Sequence, residues 1–313
     1  LETIAEALAS HGASFDELSA VAGRGGLVEP IPGGTYAVDD MLLKRLRMGK
    51  PWEHASNLGG ILADAICRSR NLPAFIVDPV AVDEMNPVAK ITGLPELPKA
   101  SLGHALNIKA TVRRAAGDLG KAWDELNFIV AHIGGGITVC AHEKGRMTDL
   151  NNANEFGPFS PERAGGLPAG DLVRMCFGES MTEKDMLRKM VGRGGLMAYT
   201  GTSDVREVKT MAAGGDERAR EALDAMAYAV AKEIGAQAAV MSGNVDAVLF
   251  TGGVAFDSDF VAAVQKRVQW IAPVLVYPGE DEMPALAEGA LRVLRGEEEC
   301  KIYGRYISGG EKA

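Results

Sequence analysis

The stretch Asn127-Phe128-Ile129-Val130-Ala131-His132-Ile133-Gly134-Gly135-Gly136-Ile137-Thr138-Val139 runs from one apolar, β-branched segment through three glycines into another. That pattern reads as strand, tight turn, strand. Glycines at such a turn serve one of two needs: they permit positive φ, or they let another group approach the backbone closely. Bare backbone N–H groups there suit phosphate oxygens. His132, at the mouth of the turn, is a candidate hydrogen-bond donor or positive charge. The competing reading is a plain glycine hairpin with a surface histidine.

A second stretch shifts the balance. Val245-Asp246-Ala247-Val248-Leu249-Phe250-Thr251-Gly252-Gly253-Val254 is again an apolar strand ending in glycines, and residues 255–270 read as a helix after it. Helix N-termini that follow strands bind anions and nucleotides in α/β proteins. Two glycine-ended strands in one chain suggest a nucleotide site shared between them.

Composition sets the frame. At 313 residues the chain is long enough for about two domains and a sizeable core. A net charge of -9 argues against non-specific nucleic-acid binding through the phosphate backbone. Cys67, Cys140, Cys176 and Cys300 have no metal-site spacing, which favours reduced thiols and a cytoplasmic location. No apolar run is long enough to span a membrane.

Other motifs carry chemistry. Gly23-Arg24-Gly25-Gly26 frames an arginine with glycines, a setting for a carboxylate or phosphate partner, or else for an exposed loop arginine. Pro30 to Tyr36 is a turn-rich loop, residues 39–48 look helical, and a second helix runs to about Arg70. Ala74-Phe75-Ile76-Val77 is a buried strand ending in Asp78-Pro79. A carboxylate at the C-terminal end of a parallel strand is where α/β sites sit. His104 opens an amphipathic helix, and Lys144-Gly145-Arg146 is a second hairpin turn. Residues 154–171 form a proline- and glycine-rich loop too long to be idle. The Met and Ala stripe of residues 217–239 is core patterning.

In this order and spacing, Gly23-Arg24-Gly25-Gly26, Glu53-His54-Ala55-Ser56-Asn57, Val77-Asp78-Pro79, His132-Ile133-Gly134-Gly135-Gly136, Asn154-Glu155-Phe156-Gly157-Pro158 and Phe250-Thr251-Gly252-Gly253 resemble the acetokinase family, most closely its butyrate kinases. The resemblance implies an α/β, two-lobed fold of the acetate and sugar kinase/Hsp70/actin (ribonuclease H-like) type. Residues 1–82, completed by 283–313, would form the first lobe, and residues 83–282 the second. It implies ATP/ADP with Mg2+, a short-chain fatty acid or its acyl phosphate as substrate, and a homo-oligomer.

By resemblance, Gly134, Gly135 and Gly136 form a phosphate loop with His132. Asp204 and Arg206 contact the nucleotide, and Gly252, Gly253 and Val254 form the adenosine loop. Arg24 meets the acyl carboxylate, with His54 and Asn57 nearby. Asp78 and His104 are active-site residues, and Asp78 and Glu282 are tied to magnesium. Two departures stand out. The family's second catalytic arginine has no counterpart in Gly166-Leu167-Pro168-Ala169-Gly170-Asp171, and Arg163 is the candidate to replace it. The family's opening Asn-Pro-Gly-Ser phosphate loop is also absent, so the resemblance implies a first lobe truncated at its N-terminus.

A carboxylate acceptor is ionised at neutral pH and needs no general base, so Asp78 fits a metal or water ligand better than a base. The barrier is repulsion between two anions, which Arg24, the histidines and magnesium would offset. Acyl specificity is expected from apolar lining near Ile31 and Tyr36. The rival readings are an inactive nucleotide-binding fragment, a related short- or branched-chain acyl kinase, and a sugar or polyol kinase with Asp78 as base.

Overall fold

The computed structural model describes residues 1–49, 55–178 and 181–307. The chain divides into two compact units, Leu1–Glu84 with Asp281–Ala313, and Met85–Glu280. The first unit begins with α1 (Glu2–Ser10), β1 (Val21–Arg24), β2 (Thr35–Ala37), α2 (Asp40–Met48), α3 (Asn57–Cys67) and β3 (Ala74–Val77). The second holds α4 (Ala105–Asp118), β4 (Asn127–Ile133), β5 (Ile137–Glu143), β6 (Arg146–Leu150), α5 (Ala169–Cys176), α6 (Glu183–Met190), α7 (Gly195–Thr200), α8 (Val205–Ala213), α9 (Glu217–Val240), β7 (Ala247–Gly252), α10 (Ser258–Val268) and β8 (Val274–Pro278). α11 (Glu282–Leu294) and α12 (Gly304–Ile307) belong to the first unit again.

In the second unit a five-stranded sheet has the order β6-β5-β4-β7-β8. The hairpin strands β4 and β5 are antiparallel, as are β5 and β6, while β4–β7 and β7–β8 are parallel. Every residue of β4 and β7 is buried, the mark of strands covered on both faces. The alternation of β4 sorts its side chains. Ile129, Ala131 and Ile133 join the cluster built with α9, whereas His132 faces Asn107 of α4. The Ala and Met stripe of α9 is core: Ala219, Met226, Val230 and Ile234 are fully buried against the sheet. Asp216 starts that helix by accepting from Ala219 N.

In the first unit the sheet order is β1-β3-β2, with β1 parallel and β2 antiparallel to β3. α3 and α11 pack on this sheet. A Cβ on Gly23 would collide with the backbone of Gly59, and one on Gly59 with that of Arg24, so β1 and α3 touch through bare backbone. α2 starts on Asp39, which accepts from Leu42 N at 2.8 Å, and ends on Gly49 in the left-handed region. Val28, Ile31, Tyr36, Leu42, Leu46, Ile76, Ala81 and Tyr303 form the core of this unit.

That core overturns one expectation. Ile31 and Tyr36 do not line an acyl pocket: they are 1% and 0% exposed, and the Tyr36 hydroxyl donates to Pro32 O at 2.6 Å. The proline- and glycine-rich approach masked the fact that Thr35–Ala37 pairs with β3 as a strand. Among the described residues no helix is long and apolar enough to cross a membrane.

Candidate functional site

The turn between β4 and β5 settles which need its glycines serve. None of Gly134, Gly135 and Gly136 has a positive φ. A Cβ on Gly136 would run into the guanidinium of Arg163, one on Gly135 would meet Glu162 at 3.5 Å, and one on Gly134 would lie 3.2 Å from Nε2 of His132. The turn is bare so that charged and polar groups can lie against its backbone. The long loop of residues 154–168 supplies those groups. Ser160 donates to Gly135 O at 2.6 Å and accepts from Arg163 N at 3.1 Å, which clips the loop to the turn.

Arg163 is half-buried. Nη1 donates to Ala153 O at 3.4 Å, while Nε is buried without a partner among the described residues. Burial lowers its pKa, with neighbouring Glu162 opposing, yet a guanidinium stays cationic at neutral pH. A desolvated cation with an unspent donor beside a bare glycine turn is suited to an anion.

His132 departs from expectation. It is 1% exposed rather than standing at an open mouth, and burial, with His104 and Arg163 nearby, drives its pKa well below the usual value. That favours the neutral ring and speaks against the positive charge, one of the two roles the sequence offered for it. Its Nδ1 lies 2.7 Å from Asn107 Oδ1, and its ring stacks on that of His104 with centroids 3.8 Å apart. Nδ1 of His104 lies 2.9 Å from Thr138 Oγ1 on β5.

A cleft of about 960 Å³ opens beside this turn. Gly134 and Gly135, Asp204 and Arg206, and Gly253 and Val254 all line it, so the structure brings both glycine-ended strands to one place. Asp204 caps α8 by accepting from Arg206 N at 2.9 Å and pairs with the Arg206 side chain at 2.5 Å. That hydrogen bond to Arg206 pulls the Asp204 pKa down to about 2.

The expected helix over residues 255–270 is corrected. A 3-10 turn over Gly253–Phe256 comes first, and α10 begins at Ser258. The α10 N-terminus is not open to an external anion. Asp257 accepts from Asp259 N and Phe260 N at 3.1 and 3.2 Å, and from Lys209 at 2.7 Å. Gly252, at φ 89°, lies against the backbone of Ile133, whereas a Cβ on Gly253 would meet open space.

The remaining expected residues lie in the first unit. Arg24 ends β1 opposite Val77, so Arg24 and Asp78 stand at the C-terminal ends of neighbouring parallel strands. Arg24 pairs with Glu282, at the start of α11, at 2.8 Å. Asp78 is buried with φ 37°, and its Oδ1 accepts from Gly34 N at 2.7 Å. Asn57 Oδ1 accepts from Leu27 N at 2.9 Å. His54, with Glu53 before it, lies outside the described residues.

Asp78 and Glu282 offer only oxygen donors, the kind magnesium takes, and magnesium needs just one or two carboxylates when phosphate and water complete its shell. Among the described residues no three His, Cys, Asp or Glu side chains cluster as a metal cage. The donor set thus fits magnesium in kind, as a partial shell.

Sequence reasoning missed Asn107, Thr138, Ser160, Lys209, Asp257 and Glu280. One signal for Asn107 was present: Asn107 and Thr111 are polar residues one turn apart on α4, and both prove to be buried.

A model of the acetokinase family matches residues 104–271. The chain is also similar to the solved acetate kinase of Porphyromonas gingivalis, with a TM-score of 0.80 and 22% identity over 90% of this chain and 79% of that one. It is similar to a propionate kinase from Francisella tularensis subsp. tularensis SCHU S4, with a TM-score of 0.79 and 18% identity over 92% and 82% of the two chains. For the acetate kinase of Entamoeba histolytica the TM-score is 0.78, at 15% identity over 94% and 85%. The α/β fold of the acetate and sugar kinase/Hsp70/actin type, expected from the motifs, is the fold this chain has.

Proposed function

We propose, since the chain belongs to the acetokinase family, that it is a carboxylate kinase that transfers a phosphoryl group reversibly between ATP and a short-chain fatty acid, butanoate being the acid it serves. The observation that carries this reading is the convergence of Gly134, Gly135, Gly253 and Val254 on one cleft, with the Arg163 guanidinium against the adjoining Gly136. Residues of the second unit are assigned the nucleotide: phosphates at the glycine turn, with the ribose or base toward Asp204, Arg206 and Val254. The preference for butanoate rests on the resemblance of the six motifs, taken together, to butyrate kinases.

Residues of the first unit are assigned the acid. A carboxylate oxygen attacks the γ-phosphorus, the bond to the β-bridging oxygen breaks, and its electron pair leaves with ADP. No proton is transferred, because the acid is already ionised at neutral pH. Arg24 already pairs with a carboxylate, that of Glu282, and a substrate carboxylate is the same chemical kind of partner. Arg163 offsets charge on the transferring group. Magnesium, when bound, neutralises phosphoryl charge, and Asp78 and Glu282 are the residues that would hold it. His54 and Asn57 are assigned to the substrate side, and His104 supports His132.

The test uses the full-length gene product with MgATP, hydroxylamine and acetate, propanoate, butanoate or isobutanoate in turn, reading acyl hydroxamate. Butanoate should give the highest kcat/KM. Arg24→Ala should lower turnover by roughly thirty- to a thousand-fold, about 2–4 kcal/mol, with ATP affinity nearly intact. Hydroxamate formation with none of the acids by a folded, ATP-binding protein would sink the proposal.

A further inference from the structure

The hydrogen bonds around His132 determine which of its ring nitrogens carries the proton. Asn107, in the first turn of α4, donates from Nδ2 to the backbone carbonyl of Glu280 at 2.8 Å. A carbonyl oxygen only accepts, so the amide nitrogen belongs on that side and the amide oxygen points the other way. That oxygen stands 2.7 Å from Nδ1 of His132. An amide oxygen also only accepts, so the proton of the imidazole sits on Nδ1. In a neutral ring the other nitrogen, Nε2, then carries a lone pair.

We infer that Asn107 is a positioning residue that locks His132 in the Nδ1–H tautomer, so that Nε2 offers the glycine turn a hydrogen-bond acceptor rather than a donor. Nε2 is buried and has no hydrogen-bond partner among the described residues. It lies 3.6 Å from Oε1 of Glu280 and close to Gly134. Among the described residues, the titratable and charged groups that face the ring are His104, stacked on it, Arg163 and Glu280. The first two oppose a second proton, as does burial. Glu280 would favour one, but its side chain is 49% exposed and screened by water.

The consequence for function rests on the reading of the turn as a phosphate site. Ionised phosphoryl oxygens are acceptors, and a lone pair turns them away. They are directed instead to the backbone N–H groups of the turn and to Arg163. What Nε2 takes is a group with a hydrogen to give, either a bound water or a ligand hydroxyl. The histidine thus orders a donor beside the phosphates instead of neutralising their charge.

The tautomer is read directly by long-range 1H–15N correlation on the full chain labelled in its histidines, near pH 7. His132 should show a pyrrole-type Nδ1 and a pyridine-type Nε2, and addition of ADP should leave Nε2 unprotonated. A protonated Nε2, in the free chain or with ADP, overturns the inference. Asn107→Leu should turn the single tautomer into a mixture. A variant ring still purely Nδ1–H would show that Asn107 does not position it. Asn107→Asp should keep the Nδ1 proton and raise the ring pKa, and its failure to do so also counts against the role. If Asn107→Leu does not fold, the unmodified chain and Asn107→Asp decide. These readouts need no turnover, so a correct tautomer in a chain whose turn resonances ignore ADP would count against the phosphate site alone.

Discussion

The ring of His104 lies flat on that of His132, with centroids 3.8 Å apart and planes inclined by 12°. A buried imidazole stacked on another is costly to charge, and burial, with His104 and Arg163 nearby, pushes the His132 pKa well below its usual value. Its folded pKa lies well below its unfolded value of about 6.5, so below that pH the unfolded chain binds a proton that the folded chain refuses. Stability should therefore fall as pH drops below about 6.5, by up to about 1.4 kcal/mol per pH unit from this residue. In urea unfolding at pH 7.5 and 5.5, His132→Gln should lose less stability between the two than the unmodified chain. Equal losses would mean that the ring titrates normally in the fold.

The two glycines that end β7 should respond differently to substitution. Gly252 has positive φ and abuts the Ile133 backbone, so Gly252→Ala should cost at least about 1–3 kcal/mol of stability. Gly253 has neither constraint, so Gly253→Leu should fold normally. It lines the cleft, and ADP affinity should drop about tenfold or more, about 1.4 kcal/mol. Calorimetric titration of a folded Gly253→Leu that returned the original ADP affinity would move the nucleotide elsewhere.

Gly136→Ala should displace the Arg163 guanidinium and leave the fold standing, because the colliding group is the end of a flexible side chain and φ is not positive. Activity should fall with little change in melting temperature. Arg163→Ala should remove a charge-assisted contact and lower kcat by roughly a hundred- to a thousand-fold, and Arg163→Lys should recover only part of it. Full activity in both variants would leave Arg163 a structural clip.

Tyr36→Phe should destabilise the chain by about 1–2 kcal/mol, since it strands Pro32 O without its donor. The ranking of acetate, propanoate, butanoate and isobutanoate should stay the same, because the ring is core. A changed ranking would restore Tyr36 to the acyl site.

The sheet of the second unit was legible because β4 and β7 are continuous β-branched and apolar runs bounded by glycine, a signal that survives without tertiary context. The α9 stripe and the Lys144-Gly145 turn, both residues at positive φ, were legible for similarly local reasons. β2 was not: it has three residues and follows a proline-rich approach, and only its pairing with β3 makes it a strand. α7 went unread because a six-residue helix capped by glycines carries too little period. At the site, glycines and arginines announced themselves by type. Asn107 did not, because its meaning comes from Glu280 and His132, which are 173 and 25 residues away in sequence. Nor could the sequence tell that Asp257 occupies the α10 N-terminus, since strand followed by helix looks the same whether the end is open or self-capped.

Gly23 and Gly59 meet where β1 crosses α3, with no side chain between them. Backbone in direct contact works as an index mark. If β1 slid by one residue along β3, Ala22 or Arg24 would arrive at Gly59, and neither fits there. The pairing of Gly23 with Ile76, and so of Arg24 with Val77, is thus set from outside the sheet, by a helix. A strand of four residues has too few ladder bonds to choose its own alignment firmly. The place where the Arg24 guanidinium emerges is therefore decided by the absence of two methyl groups.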